Sequence, residues 1–135
     1  NAIAWIIGGN TQTTENGGTL ESIGTGQTNT TAMMSQVGYT GGAATVCDEY
    51  TTTVNGITYS DWFLPSKDEL NQIYTNKATI NTTAAANSGS NFSNGYYWSS
   101  TEYDYNFAWE QYFYAGVQYY YNKVSTLNVR AVRAF

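Results

Sequence analysis

The sequence predicts an α+β domain, with two or so short helices early in the chain and a mostly antiparallel sheet late. Three observations carry this. Apolar residues recur at helical spacing in two stretches before residue 52, and a helix-start signature stands at Ser66. At Tyr96 the composition turns abruptly aromatic and rich in β-formers, with no proline after it. Within "FAWEQYFY" (107–114) the side chains fall into two alternating sets, the period of a strand.

In chain order, "AIAWII" (2–7) reads as a buried first strand, too short to cross a membrane. "GGNTQTTENGGT" (8–19) is a loop by composition. "GQTNTTAMMSQVG" (26–38) suggests a short helix capped by Thr28 or Asn29 and ended by Gly38, with Ala32, Met33, Gln36 and Val37 on one stripe. "GGAATVCDEYT" (41–51) suggests another, with Ala43, Ala44, Cys47 and Tyr50 aligned. Asn55-Gly56 is a strong turn signal.

"LPSKDELNQIYTNK" gives the clearest local reading. Ser66 stands three residues before Glu69, a capping box in which hydroxyl and carboxylate each accept from the other residue's amide. Asp68 and Glu69 suit the positive end of the helix, so their position accounts for them without catalysis. Leu70, Ile73 and Tyr74 then share the inward face. "ATINTTAAANSGSNFSNG" (78–95) reads as a low-complexity loop. "YYWSS" (96–100) begins the strands. Phe107, Trp109, Gln111 and Phe113 are expected on one face of the next, with Trp109 and Phe113 in the core; Glu110, Tyr112 and Tyr114 take the other. Ala115-Gly116 is a turn, "VQYYYNK" a return strand and "NVRAVRAF" a last strand. Tyr119, Tyr120 and Tyr121 are consecutive, so some must be displayed.

The 135 residues fit a single domain. Charged residues make up 11% of the chain, low against about 25% in typical domains. Thr, Asn, Ser and Gly fill the gap, a surface common in exported and virion proteins. A net charge of −5 with scattered Lys67, Lys77, Lys123, Arg130 and Arg133 argues against nucleic acid. No apolar run suits direct membrane insertion. The chain starts without Met and without a signal-peptide pattern, as expected of a processed product or the tail domain of something longer. Cys47, the only cysteine, reads as a small buried hydrophobe. The chain has no histidine to activate it. With no second cysteine and no metal cluster, an enzyme is not expected, and neither is a cofactor. For calcium, "YWSSTEYD" supplies only Glu102 and Asp104.

"IGTGQTNT", "AATVCDEY", "SDWFLPSKDELNQIY", "YWSSTEYD", "AWEQYF" and the terminal "VRAVRAF" occur in an order that resembles the Lcl C-terminal domain family of bacteria and phages. The resemblance covers roughly residues 20–135, and "DWFLPSKDEL" and "YWSS" are its most specific pieces. It implies a C-type lectin-like fold of the formylglycine-generating-enzyme-like subtype. It thus implies one ligand-binding domain over residues 1–135, with a candidate variable region at about 96–135. Some members resemble variable proteins of diversity-generating retroelements, in which template adenines are miscopied. Randomised Asn codons reach Tyr, Asp, Ser, Thr, Ala, Val, Phe and Leu, among others, but not Trp, Gln, Lys, Glu or Met.

Reachable types crowd at Tyr103, Tyr105, Asn106, Phe107, Tyr112, Tyr114, Val117, Tyr119, Tyr120, Tyr121, Val124, Ser125, Thr126, Leu127 and Asn128. Trp109, Gln111, Gln118 and Lys123 sit between them as a fixed frame, and Glu110 is unreachable despite a displayed-looking position. Since Phe107 shares the expected face of Trp109, a bulge or a one-residue slip is anticipated there. The implied function is receptor binding, with a protein or glycan on a target cell as partner and a phage tail fibre or bacterial surface as location. A homotrimer through a stalk or fibre is compatible with that role. The alternative is a fixed adhesin for carbohydrate or glycosaminoglycan, although an acidic chain suits a sulfated polymer poorly.

Overall fold

A computed structural model describes residues 2–9 and 11–134 of the chain. Asn1, Asn10 and Phe135 lie outside the described residues, and with them the ends of the 1–135 domain, of the 96–135 region and of "NVRAVRAF". The first apolar run divides into β1 (Ala2–Ala4) and β2 (Ile6–Ile7), with fully buried Trp5 between them. A 3-10 turn (Thr11–Thr13) and a loop lead to α1 (Gly26–Met34). Then come β3 (Gly41–Gly42), α2 (Ala43–Asp48), and β4 (Thr52–Val54) hairpinned to β5 (Ile57–Tyr59). Asn55 and Gly56 both take positive φ in that hairpin, 52° and 78°, as a two-residue primed turn requires.

Helix α3 (Lys67–Thr75) begins at the expected capping box. Ser66 Oγ accepts from the Glu69 amide at 3.3 Å, and Glu69 Oε2 accepts from the Ser66 amide at 2.7 Å. A second helix, α4 (Lys77–Ala86), follows where a loop was expected. It buries no residue, so it has no apolar stripe to betray it; Asn76 caps α3 and starts α4, and Lys77 holds the Phe113 carbonyl.

The late strands are β6 (Tyr96–Glu102), β7 (Phe107–Tyr112), β8 (Val117–Asn122) and β9 (Thr126–Asn128). With β1 they form a five-stranded sheet in the order β1-β9-β6-β7-β8. All pairs are antiparallel except β6 with β9. The strand expected from Asn128 onward does not form: β9 ends at Asn128, and among the described residues beyond it an isolated Phe63–Val132 bridge is the sole pairing. The fold is α+β.

Two apolar centres hold the sheet. Trp5, Ile6, Met33, Ala43, Ala44, Cys47, Leu64, Trp98 and Ala108 form the larger, which joins β6 to α1 and α2. Leu70, Tyr97 and Phe113 form the smaller, beneath α3. Cys47 is packed as expected, and burial pushes its thiol up to about 12. Thr25, rather than Thr28 or Asn29, holds the N-cap position of α1, and its side chain makes no cap hydrogen bond. Asn29 turns inward to serve both backbone groups of Leu20, while the Thr30 hydroxyl accepts from the Leu64 amide at 3.0 Å. The Leu64 amide would otherwise be buried without a partner. Val37 and Tyr50, expected on apolar stripes, fall beyond the helices and are exposed.

Candidate functional site

The segment Trp98–Glu102 positions the site. Between the Trp98–Glu110 and Glu102–Ala108 pairs, three β6 residues oppose one of β7, a bulge. It turns Ser99, Ser100 and Thr101 into a buried polar hub. Ser99 Oγ donates to the Trp109 carbonyl, and Ser99 O accepts from the Trp5 indole at 2.7 Å. The Ser100 amide donates to the Pro65 carbonyl, and Thr101 Oγ1 accepts from the Lys67 amide. The bulge or slip anticipated at Phe107 does not occur: the irregularity lies in β6, not in β7. The β7–β8 register is continuous from Phe107–Asn122 to Tyr112–Val117, and Phe107 does share the face of Trp109.

That face meets α3, and the residues expected to be fixed anchor it. Gln111 Nε2 donates to Asn71 Oδ1 and the Gly116 carbonyl; Gln118 Nε2 donates to the Lys67 carbonyl at 2.8 Å. Trp109 is half-buried rather than core, because the Lys67 ammonium covers its ring at 3.7 Å from the centroid. Phe113 is fully buried as expected. Lys123 is wholly buried at the end of β8, paired with Glu102 at 2.5 Å and donating to the Tyr105 carbonyl. Glu102 also accepts from the Asn16 and Gly17 amides, tying the first loop to the sheet. Gly116 has φ 76°, and an added Cβ would lie 2.3 Å from the Tyr74 ring.

The opposite face carries an open groove of about 970 Å³. Eight candidate residues line it: Tyr112, Val117, Tyr119, Tyr121, Val124, Ser125, Thr126 and Leu127, with Tyr96, Glu110 and Ala115 completing the wall. Strand β8 is the sheet edge, and its alternation exposes Val117, Tyr119 and Tyr121 together. Tyr96 and Tyr112, paired across β6 and β7, stack with centroids 4.4 Å apart; Tyr114 follows 5.9 Å from Tyr112 and is exposed.

Tyr103, Phe107 and Tyr120 lie on the α3 side with Trp109. Tyr120 stacks on Tyr103 at 4.0 Å and on Tyr119 at 4.7 Å, so three rings wrap the sheet edge and connect this cluster to the groove. Hydrogen bonding and charge repulsion from Tyr119 and Tyr103 raise the Tyr120 phenol. Tyr105 and Asn106 stand in the β6–β7 loop, Tyr105 exposed. Asn128 lies apart from the groove, donating to the Tyr96 carbonyl, and Leu127 also packs against the larger core.

Glu110 is the residue that sequence reasoning misplaced. It is 4% exposed in the groove floor, between fully buried Trp98 and exposed Tyr119 on the neighbouring strands. Burial pushes its carboxyl up to about 7, and its Oε2 has no hydrogen-bond partner among the described residues. The only available signal was its alternation with Trp109 in β7.

Among the described residues no group of three His, Cys, Asp or Glu is placed to hold a metal ion, and no helix is long and apolar enough to cross a membrane. No curated protein matches the chain. A family model, by contrast, spans residues 5–133, nearly its whole length, so the chain belongs to the Lcl C-terminal domain family.

Proposed function

We propose that the chain is a non-enzymatic, C-type lectin-like receptor-binding domain, and that its groove and adjoining ring stack form a diversified face. The clustering of eight candidate residues around one open groove carries this reading. The contrast in bonding supports it. Gln111, Gln118 and Lys123 hydrogen-bond to the scaffold, whereas no scaffold hydrogen bond among the described residues runs through the side chains of Tyr112, Tyr114, Tyr121, Ser125 or Thr126. Tyrosine suits such a face because its large amphipathic ring freezes only two torsions on binding. The partner is a receptor on a target cell, met by a phage tail fibre or a bacterial surface protein.

The fixed glycosaminoglycan adhesin is the weaker reading. All five basic residues are engaged: Lys67 with Glu21, Lys77 with the Phe113 carbonyl, Lys123 with Glu102, Arg130 with the Ser90 carbonyl and Arg133 with Asp61.

Two experiments test the proposal. Sequencing the surrounding DNA is expected to show a near-identical repeat that differs only at template adenines, beside a reverse-transcriptase gene. Absence of that repeat removes the diversified form. Binding to a panel of bacterial surface proteins and to a glycan array, measured with Tyr119→Ala/Tyr121→Ala, is expected to fall by at least about tenfold. Both residues are more than half exposed, so thermal stability should change by only about 0.5 kcal/mol per site. Unchanged binding by the double variant rules out the groove as the receptor face.

A further inference from the structure

The groove is aromatic, apolar and hydroxylic, with one exception. Among the described residues that line it, Glu110 is the only carboxylic acid, and none is a lysine or arginine. Three other acidic side chains of the site region have donors: Glu102 from Lys123 and two backbone amides, Glu69 from the Ser66 and Gly24 amides, Asp104 from the Asn106 and Phe107 amides. Glu110 Oε2 is buried without a donor. An unanswered buried acceptor is costly to keep, and the cost is recovered when a donor arrives.

The direction from which a donor can arrive is fixed by the sheet. On one side Glu110 pairs with Trp98, whose ring is sealed in the core and whose indole nitrogen is already bonded to the Ile3 carbonyl. On the other it pairs with exposed Tyr119, and Tyr112 on its own strand and Val117 and Tyr121 on β8 share the groove face. The groove is thus the open approach.

We propose that Glu110 is the specificity anchor of the groove, receiving a primary ammonium or guanidinium group from a lysine or arginine side chain of a receptor protein. The inference rests on the groove being the binding face. Phenol faces attract cations, and the aliphatic stem of lysine or arginine packs along the rings while its charged tip reaches the carboxylate. The net charge of −5 favours approach of a basic segment. A donor-bearing cation satisfies Oε2 by hydrogen bond, which a quaternary ammonium does not.

The test is an NMR titration of the 135-residue protein with Nα-acetyl-lysine methylamide, Nα-acetyl-arginine methylamide and Nα-acetyl-norleucine methylamide at millimolar concentrations, following the Tyr119 and Tyr121 amides. The lysine and arginine probes are expected to bind at least about tenfold more tightly than norleucine, and Glu110→Gln to remove that preference. Glu110→Asp, which keeps the charge but shortens its reach, should retain part of it. Tetramethylammonium should bind more weakly than the lysine probe. Equal binding of lysine and norleucine, an unchanged preference in Glu110→Gln, or no response at the groove to any probe overturns the anchor. Loss of receptor binding in Tyr119→Ala/Tyr121→Ala but not in Glu110→Gln also overturns it while leaving the groove as the receptor face.

Discussion

Replacing Glu110 with Gln should make the protein more stable above neutral pH and leave it nearly unchanged in acid. Burial lifts the carboxyl from 4.5 to about 7 in the folded state. Between those values the native protein binds a proton that the unfolded chain has released, so stability falls as pH rises through that window. Below the lower value both states are protonated and nothing is lost. Above the upper value the native carboxylate is charged in the groove floor and the full penalty is present. A shift of that size corresponds to about 3 kcal/mol at 1.36 kcal/mol per unit, a ceiling because the groove is open to water on one side. The groups facing Glu110 are Trp98 and the phenols of Tyr96, Tyr112, Tyr119 and Tyr121, with no base among them to offset the penalty.

Gln keeps the size and loses the charge. The assay is urea denaturation of wild type and Glu110→Gln across pH 4 to pH 8, read as the difference between the two profiles. That difference should be near zero at the acid end and grow to about 2–3 kcal/mol in favour of Gln, with most of the change between pH 5 and pH 7. For a chain of this length it corresponds to a gain in Tm of roughly 7–10 °C at pH 8. Parallel profiles, or a Gln variant less stable than wild type at pH 8, would refute the claim that this carboxylate is buried and unanswered.

Removing the partner of a buried charge should have the opposite sign. Lys123→Met leaves Glu102, 7% exposed, facing a lost cation, and should cost about 3–5 kcal/mol in urea denaturation. Gly116→Ala meets both a positive φ of 76° and the Tyr74 ring, so a loss of about 1–3 kcal/mol is expected, measured as a drop in thermal midpoint.

What the sequence disclosed followed the physics of each signal. Local, chemically specific signals were legible: the Ser66–Glu69 capping box, the Asn55-Gly56 turn and the period-2 alternation of Phe107–Tyr112 all appear where expected. Helix α4 was hidden because periodicity records burial, and this helix buries nothing. The alternation in β7 was right in phase but wrong in its assignment of inside and outside at positions 109 and 110. One face of β7 meets α3, and the other passes from the larger core at Ala108 to the open groove at Glu110 and Tyr112, so hydrophobicity does not rank the two faces. Trp109 was placed inside because it is large, but the Lys67 ammonium half-covers it. Alternation sends Glu110 to the face opposite Trp109, and there it is buried in the floor of the groove rather than displayed. The groove itself depends on β9 lying beside β6 rather than beside β8, a non-local pairing absent from any local pattern.

Strand β8 shows how a face and a frame can share one segment. As an edge strand it has a ladder on one side only, with β7, and an edge of that kind needs further fixing or covering. Gln118 supplies a hydrogen bond to α3, and Lys123 closes the far end with its buried ion pair. Tyr120 adds a ring stacked against Tyr103 on the same side as Gln118. Val117, Tyr119 and Tyr121 point the other way, into the groove, where the backbone ladder does not depend on what they are. A change of side chain at Val117 or Tyr121 therefore alters the groove without removing an anchor of the strand, whereas at Tyr119 it also removes a ring stacked on Tyr120. Change at Tyr120, Leu127 or Asn128 has a structural cost as well, because those side chains stack, pack on the core or hydrogen-bond to β6. Free variation is thus cheapest on the groove side of β8 and the turn that follows it, the wall around the buried carboxyl group of Glu110.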